Sequence, residues 1–215
     1  RGAVTFGIEP TDAYLDAKSK GHITYNNYLS QTIASAFVDH HGSPDIITFT
    51  NVFAHIENLK EVLCSLKSLM ATDTVIVIEN HYLGSVLDGN QFDTFYHEHP
   101  RTYSYGSFVH MAQALETHLL DVQFPSRYGG NIRIFMGGSI HEKTGLVDLN
   151  ALSIRESRFF EEFNTLQKNI KSWHKQKSQF LQEQIKKYGK LRAKAFPGRA
   201  AILVKLLGLD ERSIS

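Results

Sequence analysis

The stretch FDTFYHEHPRTYS, Phe92 to Ser104, holds the densest set of groups in the chain that can move a proton. Tyr96, His97, Glu98 and His99 stand in a row. In an extended segment alternate side chains share a face, so His97 and His99 are expected to point one way and Tyr96 and Glu98 the other. Two chemistries fit this pattern. His-x-His on one face is a metal-ligand spacing, but a zinc site needs a third protein ligand and none announces itself by spacing. Alternatively one imidazole is a general base beside a carboxylate, since its pKa lies near neutrality. A polar loop whose His and Tyr side chains only hydrogen-bond is the plainer reading.

Other candidates follow apolar runs. Glu9 precedes Pro10 at the end of one such run. A carboxylate there in an α/β fold accepts two hydrogen bonds from a ribose diol, whereas a surface glutamate ahead of a turn needs no ligand. Asn51 closes DIITFT, and His55, four residues on, faces the same edge as a catalyst or as a hydrogen-bonder at a helix start. Glu79 ends TVIVI. Tyr82 and Tyr128 are expected to flank the same mouth, and Glu79, Tyr82, Tyr128 and Arg133 form the candidate substrate-binding group. Tyr128 lies in RYGGNIR, whose paired glycines either let backbone approach a ligand or make a hairpin turn.

The elements that position these residues alternate. Strand-like runs over 3–8, 45–50, 74–78, 121–124 and 131–136 are separated by helical spacing over 26–41, 57–70 and 107–119. Strand–helix–strand at these distances predicts parallel βαβ units, hence a doubly wound α/β sheet, with an antiparallel pair closing one edge. Ligands of such sheets sit beyond the carboxyl ends of the strands, where Glu9, Asn51 and Glu79 fall. From 151 to 188 runs a long charged helical stretch, read as a helix or helix pair with a wet lysine-rich face, or as a homodimer contact. After Gly189 the pattern strand, glycine turn, helix reads as the opening of a second α/β unit.

Composition separates two parts. Residues 1–150 carry nine basic and sixteen acidic side chains, a net charge of −7; residues 151–215 carry fourteen and six, a net of +8. The break near Asn150 is the expected domain boundary. The whole chain of 215 residues has a net charge of +1, so no global basic field draws it to nucleic acid. Its longest uncharged apolar runs, 75–78 and 200–204, fall far short of the ~20 residues a membrane helix needs. The single cysteine, Cys64, forbids an internal disulfide or a cysteine-cluster metal site within this chain, and a cytoplasmic setting is expected. The sequence opens without Met directly into a strand-like run and closes just after an apolar helix, which reads as an internal fragment.

Five ordered motifs carry a resemblance: GIEP at 7–10, DIITFTNVFAHI at 45–56, VIVIENHYL at 75–83, QFDTFYHEH at 91–99 and YGGNIRIF at 128–135. Together they resemble the sugar C-methyltransferases, class I S-adenosylmethionine enzymes acting on nucleotide-linked 4-keto deoxysugars. The resemblance implies a Rossmann-like methyltransferase sheet. It implies that Glu9, with Pro10, holds the cofactor's ribose and that Asn51 and His55 stand at the junction of cofactor and substrate. It implies that Tyr96, Glu98 and His99 are the catalytic group, with His99 the general base, and gives His97 no role. AFPGRAAILVKLLGL, from Ala195 on, is similar to the family's C-terminal Rossmann-like segment. Departures are plain: the family's zinc domain, built on cysteine pairs, and its glycine-rich first strand-turn have no counterpart in residues 1–215. Zinc therefore belongs to that other domain and not to this chain. His81 stands where many relatives have proline, and Tyr128 where some have histidine.

The reading is an S-adenosylmethionine-dependent C-methyltransferase in which His99 removes a proton alpha to a ketone, with Tyr96 and Glu98 orienting the sugar. The competing readings are a nicotinamide-dependent sugar-nucleotide oxidoreductase, because an acid after a strand also binds the ribose of NAD, and an inactive assembly module.

Overall fold

The computed structural model describes residues 2–138, 147–194 and 197–215. β1 (Phe6–Ile8) and β2 (Ile23–Tyr25), connected through α1 (Ala13–Ser19), form a parallel pair. A second sheet has the order β3-β4-β6-β5, built from β3 (Ile46–Thr50), β4 (Val75–His81), β5 (His118–Gln123) and β6 (Asn131–Gly137). β3 runs parallel to β4 across α3 (Leu59–Leu69), and β6 is antiparallel to both β4 and β5. The α/β class and the antiparallel edge are present. Among the described residues the winding is divided between these two sheets instead of passing through one.

Helix α2 (Gln31–His41) ties the sheets together. Its Ala34 and Phe37 pack with Leu69 of α3 against Phe6, Tyr25 and Ile47, which come from both sheets. The larger core lies around β4 and β6, where Ile76, Ile78, Ile132, Ile134 and Met136 are fully buried with Leu66, Phe53 and Phe108. Burying each such side chain contributes roughly 1.5–3 kcal/mol.

Caps set several boundaries that periodicity alone does not. The helical spacing over 26–41 becomes a helix only from Gln31, because Ser30 accepts a hydrogen bond from the Ile33 N–H. Asn58 does the same for α3 through the Glu61 N–H, so that helix starts at Leu59 and leaves 57 outside. Helix α4 (Leu83–Asp88) follows β4, and α5 (Tyr105–Ala114) opens on a reciprocal Ser104–Ser107 box. The strand expected to end at Glu79 runs on to His81, because β6 continues the ladder through Glu79↔Arg133, Asn80↔Ile132 and His81↔Asn131.

The basic C-terminal part packs onto the acidic first part. α6 (Leu149–Glu156) and α7 (Phe159–Tyr188) form the helix pair, and Leu152, Phe159 and Leu166 enter the core. Glu156 accepts from the Tyr105 and Gly106 N–H groups at the start of α5. Arg155 pairs with Asp88 at 2.8 Å, and Arg199 with Asp93 at 3.1 Å. α8 (Ala200–Leu207) lies between Leu191 and Ile214, which make a parallel bridge. Of the strand expected after Gly189, that bridge is what is seen; 195 and 196 lie outside the described residues. No helix among the described residues is long and apolar enough to cross a membrane.

Candidate active site

The segment 96–99 is a turn, not an extended run, which corrects the expected alternation. The His99 N–H donates to the Tyr96 carbonyl at 2.9 Å and folds the segment back on itself. Tyr96 and His99 therefore meet, with ring centroids 4.6 Å apart, while the Tyr96 hydroxyl donates to Glu98 Oε2 at 3.0 Å. His97 is thrown outward, its side chain 80% exposed, so the two histidines share no face. Among the described residues no group of three or more His, Cys, Asp or Glu side chains is placed to hold a metal ion.

Both remaining histidines are held by backbone carbonyls. His99 Nδ1 lies 3.2 Å from the Thr94 carbonyl, and His55 Nδ1 lies 2.8 Å from that of Glu98. A carbonyl can only accept, so each neutral ring carries its proton on Nδ1 and its lone pair on Nε2. The two rings pack edge to face at 4.8 Å. Burial, then the neighbouring His55, push the His99 pKa below its ordinary value, so the ring is neutral and basic near pH 7. Burial and then Glu98 push Tyr96 up, which keeps its phenol protonated. His55 sits in a 3₁₀ turn, Phe53–His55, that precedes α3, not at the helix start. Arg101 fastens this arrangement: its guanidinium donates to the Ile56 and Glu57 carbonyls and so ties the loop after His99 to the loop of His55.

Glu9 follows β1, as expected. Its Oε1 accepts from the Thr11 hydroxyl at 2.6 Å and the Thr11 N–H at 2.8 Å. Those two bonds hold the carboxylate below its ordinary pKa and orient it, leaving Oε2 without a partner among the described residues. Pro10 is exposed in the turn that follows. Asn51 ends β3 with a left-handed φ of 54°, and its side chain accepts from Asn131. Asn51 and His55 thus stand on one edge with the His99 turn. Glu9 lies on the other sheet.

The four expected substrate residues are placed unequally. Glu79 is 2% exposed inside β4. Its carboxylate accepts from Arg127, from Arg133 and from Asn131, with Arg133 Nη2 at 2.6 Å. Burial raises its pKa, but the bonds from Asn131, Arg133 and Arg127 outweigh it and hold the group ionised. Arg133 is half-buried on that pair. Tyr82 does not flank the mouth; it is 3% exposed, against Phe124 and Phe159 in the core, and burial raises its pKa. Tyr128 is exposed with a φ of 54°, and its carbonyl lies 2.5 Å from His81 Nε2. The glycines after it take φ of 86° and 117°, and Gly130 packs so closely on Ser85 that a Cβ there would stand 2.3 Å from its hydroxyl. The pair serves a close backbone turn.

Three participants were not singled out from sequence: Arg101, Arg127 and Arg199. Arg199 follows Gly198, whose Cα hydrogen side faces the Tyr96 ring and the Glu98 carboxylate, with an added Cβ falling 3.3 Å from Tyr96. An arginine in a Pro-Gly-Arg turn has no sequence signal that distinguishes it from a solvated one.

No family model matches the chain. It is 29% identical over 135 residues to C-methyltransferase NovU of Streptomyces niveus, a match that covers 62% of this chain and 32% of that protein, so the chain spans about a third of the relative's length. That similarity to a C-methyltransferase agrees with the resemblance to the sugar C-methyltransferases that the five ordered motifs carry.

Proposed function

We propose that the chain carries the catalytic part of an S-adenosylmethionine-dependent C-methyltransferase whose substrate is a nucleotide-linked keto-deoxysugar. The observation that carries this reading is the contact of His99 Nδ1 with the Thr94 carbonyl at 3.2 Å: a carbonyl can only accept, so the proton stays on Nδ1 and Nε2 is left as the basic nitrogen of a half-buried ring. A proton alpha to a ketone is too weakly acidic to leave unaided at neutral pH, so a base must be held close to it. His99 removes that proton, and the electron pair moves to the ketone oxygen as an enolate. The enolate carbon is the nucleophile that methyl transfer from a sulfonium would require, the S–CH3 bond breaking, with its electron pair left on sulfur, as the C–C bond forms. Tyr96 and Glu98, joined by their hydrogen bond, orient the sugar beside His99, and Arg199 adds a cation on the same side that stabilises the developing charge.

The residues present fit the cofactor. Glu9 offers an oriented, ionised carboxylate with one oxygen free, among the described residues, for a ribose hydroxyl, and Asn51 supplies a side chain at the carboxyl end of β3. When bound, the cofactor supplies an electrophilic methyl group on a sulfonium. The activity named for the relative, C-methylation, favours this over hydride transfer. A cytoplasmic setting follows from the same reading.

The test is exchange in heavy water. The protein given a 4-keto sugar nucleotide should wash deuterium into the carbon alpha to the ketone. Absence of exchange, with and without S-adenosylhomocysteine, would overturn the assignment.

A further inference from the structure

His81 is the last residue of β4, on the same face of the strand as Glu79 two positions back. Its Nε2 lies 2.5 Å from the Tyr128 carbonyl. A carbonyl can only accept, so in the neutral ring the proton sits on Nε2 and Nδ1 carries the lone pair. That nitrogen has no hydrogen-bond partner among the described residues. The half-buried ring is fixed twice, by the ladder pair His81↔Asn131 and by the carbonyl it holds.

The carbonyl itself is clamped. It belongs to a turn in which Tyr128, Gly129 and Gly130 all take positive φ, at 54°, 86° and 117°. A tyrosine in that region is strained and persists only where its surroundings over-determine it. Here Gln91 Nε2 donates to the Gly129 carbonyl at 3.0 Å, and both Glu79 oxygens accept from Arg127. Glu79, His81 and Gln91 thus grip three successive residues of the turn, and the orientation of the His81 ring follows from that grip.

His81 also stands at the mouth of the candidate site. Its ladder partner Asn131 donates to Asn51 at 3.3 Å, at the end of the neighbouring strand that leads into His55. A charge on His81 is felt at His99, where with Arg199 it adds to the larger effects of burial and His55. Such an influence reaches no further than a Debye length of ~10 Å, so one hexose ring spans the gap between the two imidazoles. His99 offers a base to a C–H acid, and His81 offers an acceptor beside it. Together they describe a substrate whose acidic C–H lies next to an O–H donor.

We propose that His81 is a specificity-determining residue of the reaction: its Nδ1 accepts a hydrogen bond from a sugar hydroxyl at C2 or C3, next to the position that His99 deprotonates. This rests on the reading that the substrate is a nucleotide-linked keto sugar. Many relatives carry proline at this position, so the contact is particular to this chain. Two amide variants separate the role from a structural one. In His81→Asn the amide oxygen takes the place of Nδ1 while the bond to the Tyr128 carbonyl is lost. In His81→Gln the longer amide donates to that carbonyl from the place of Nε2 while the acceptor is lost. Calorimetry at about pH 8, where imidazole is ordinarily neutral, compares a 4-keto sugar nucleotide carrying both hydroxyls with analogues lacking the one at C2 or at C3. Wild type and His81→Asn should prefer the hydroxylated sugar over one of the analogues by on the order of tenfold, and His81→Gln should bind them alike. The preference is a ratio within one variant, so a change in overall stability does not mimic it. No preference in wild type, or a preference kept in His81→Gln, would overturn the proposal. Binding needs no proton removal, so the two readings fail separately. Ketone exchange in wild type without a hydroxyl preference sinks the role of His81 and leaves the methyltransferase; a preference that His81→Gln abolishes, without exchange, does the reverse.

Discussion

Two polar clusters stand along the same sheet edge and use their hydrogen bonds in opposite ways. Around Glu79 every carboxylate oxygen is engaged by Arg127, Arg133 or Asn131, and the centre of the cluster is as buried as the core. Around His99 the imidazole bonds go to backbone carbonyls, and each ring keeps one nitrogen without a hydrogen-bond partner among the described residues. The first arrangement locks: β4 and β6 are pinned where their ladder passes the strand end. The second positions without saturating, which is the condition for a group that must accept a proton. A polar side chain at a strand's carboxyl end is therefore not a ligand group by location alone; what matters is whether the fold has already taken its hydrogen bonds.

Variants can break or sharpen this contrast. The largest effect is expected for His99→Ala, which should lose roughly 10²–10⁴-fold in ketone exchange, the usual worth of a positioned base, while thermal stability holds. Wild-type exchange in that variant, with loss in Tyr96→Phe, would move the base to Tyr96. Glu79→Ala should show the opposite profile. It should cost about 2–4 kcal/mol of unfolding free energy in a denaturant titration, below the full cost of a stranded buried charge because both arginines keep partial access to water. A Glu79→Ala protein that is fully stable but fails to bind sugar nucleotide would return Glu79 to the substrate group.

Glu9→Ala should weaken S-adenosylmethionine binding by about 1.5–3 kcal/mol, the worth of one charge-assisted hydrogen bond, since Thr11 already occupies the other oxygen. Calorimetry with unchanged affinity would leave Glu9 a turn residue. Arg101→Ala tests whether the two histidine loops act as a unit. Exchange should fall on the order of tenfold through kcat with KM preserved, because the base moves but its chemistry stays. The smallest effect concerns pH. Burial and His55 lower the His99 pKa, so the neutral base survives acidification and the acid limb of exchange should fall below the ordinary 6.5. His55→Asn removes one of those causes and should move the limb back up; no movement would deny that the rings are coupled.

Much of the frame was legible without coordinates, for a local reason. Short β-rich runs such as 45–50 and 131–136 and the stripe of Val62, Leu66 and Leu69 repeat with the periods that strands and helices impose. The charge break near Asn150 was read only as a domain boundary and gave no sign of the Arg155–Asp88 and Arg199–Asp93 pairs that join the two parts. What local pattern does not hold is where a chain turns and what crosses it. The alternation assumed for 96–99 failed because one backbone bond, His99 to Tyr96, replaces an extended segment by a turn that brings His99 against Tyr96 and leaves His97 exposed. Glu79 was placed at a strand end because TVIVI stops there, but β6, more than fifty residues away, extends the ladder and buries it. Residue types and their order set which groups this protein has to work with. Which of them remain free to react was decided by long-range pairing, because a hydrogen bond is satisfied by whatever partner the fold delivers, at any distance along the chain.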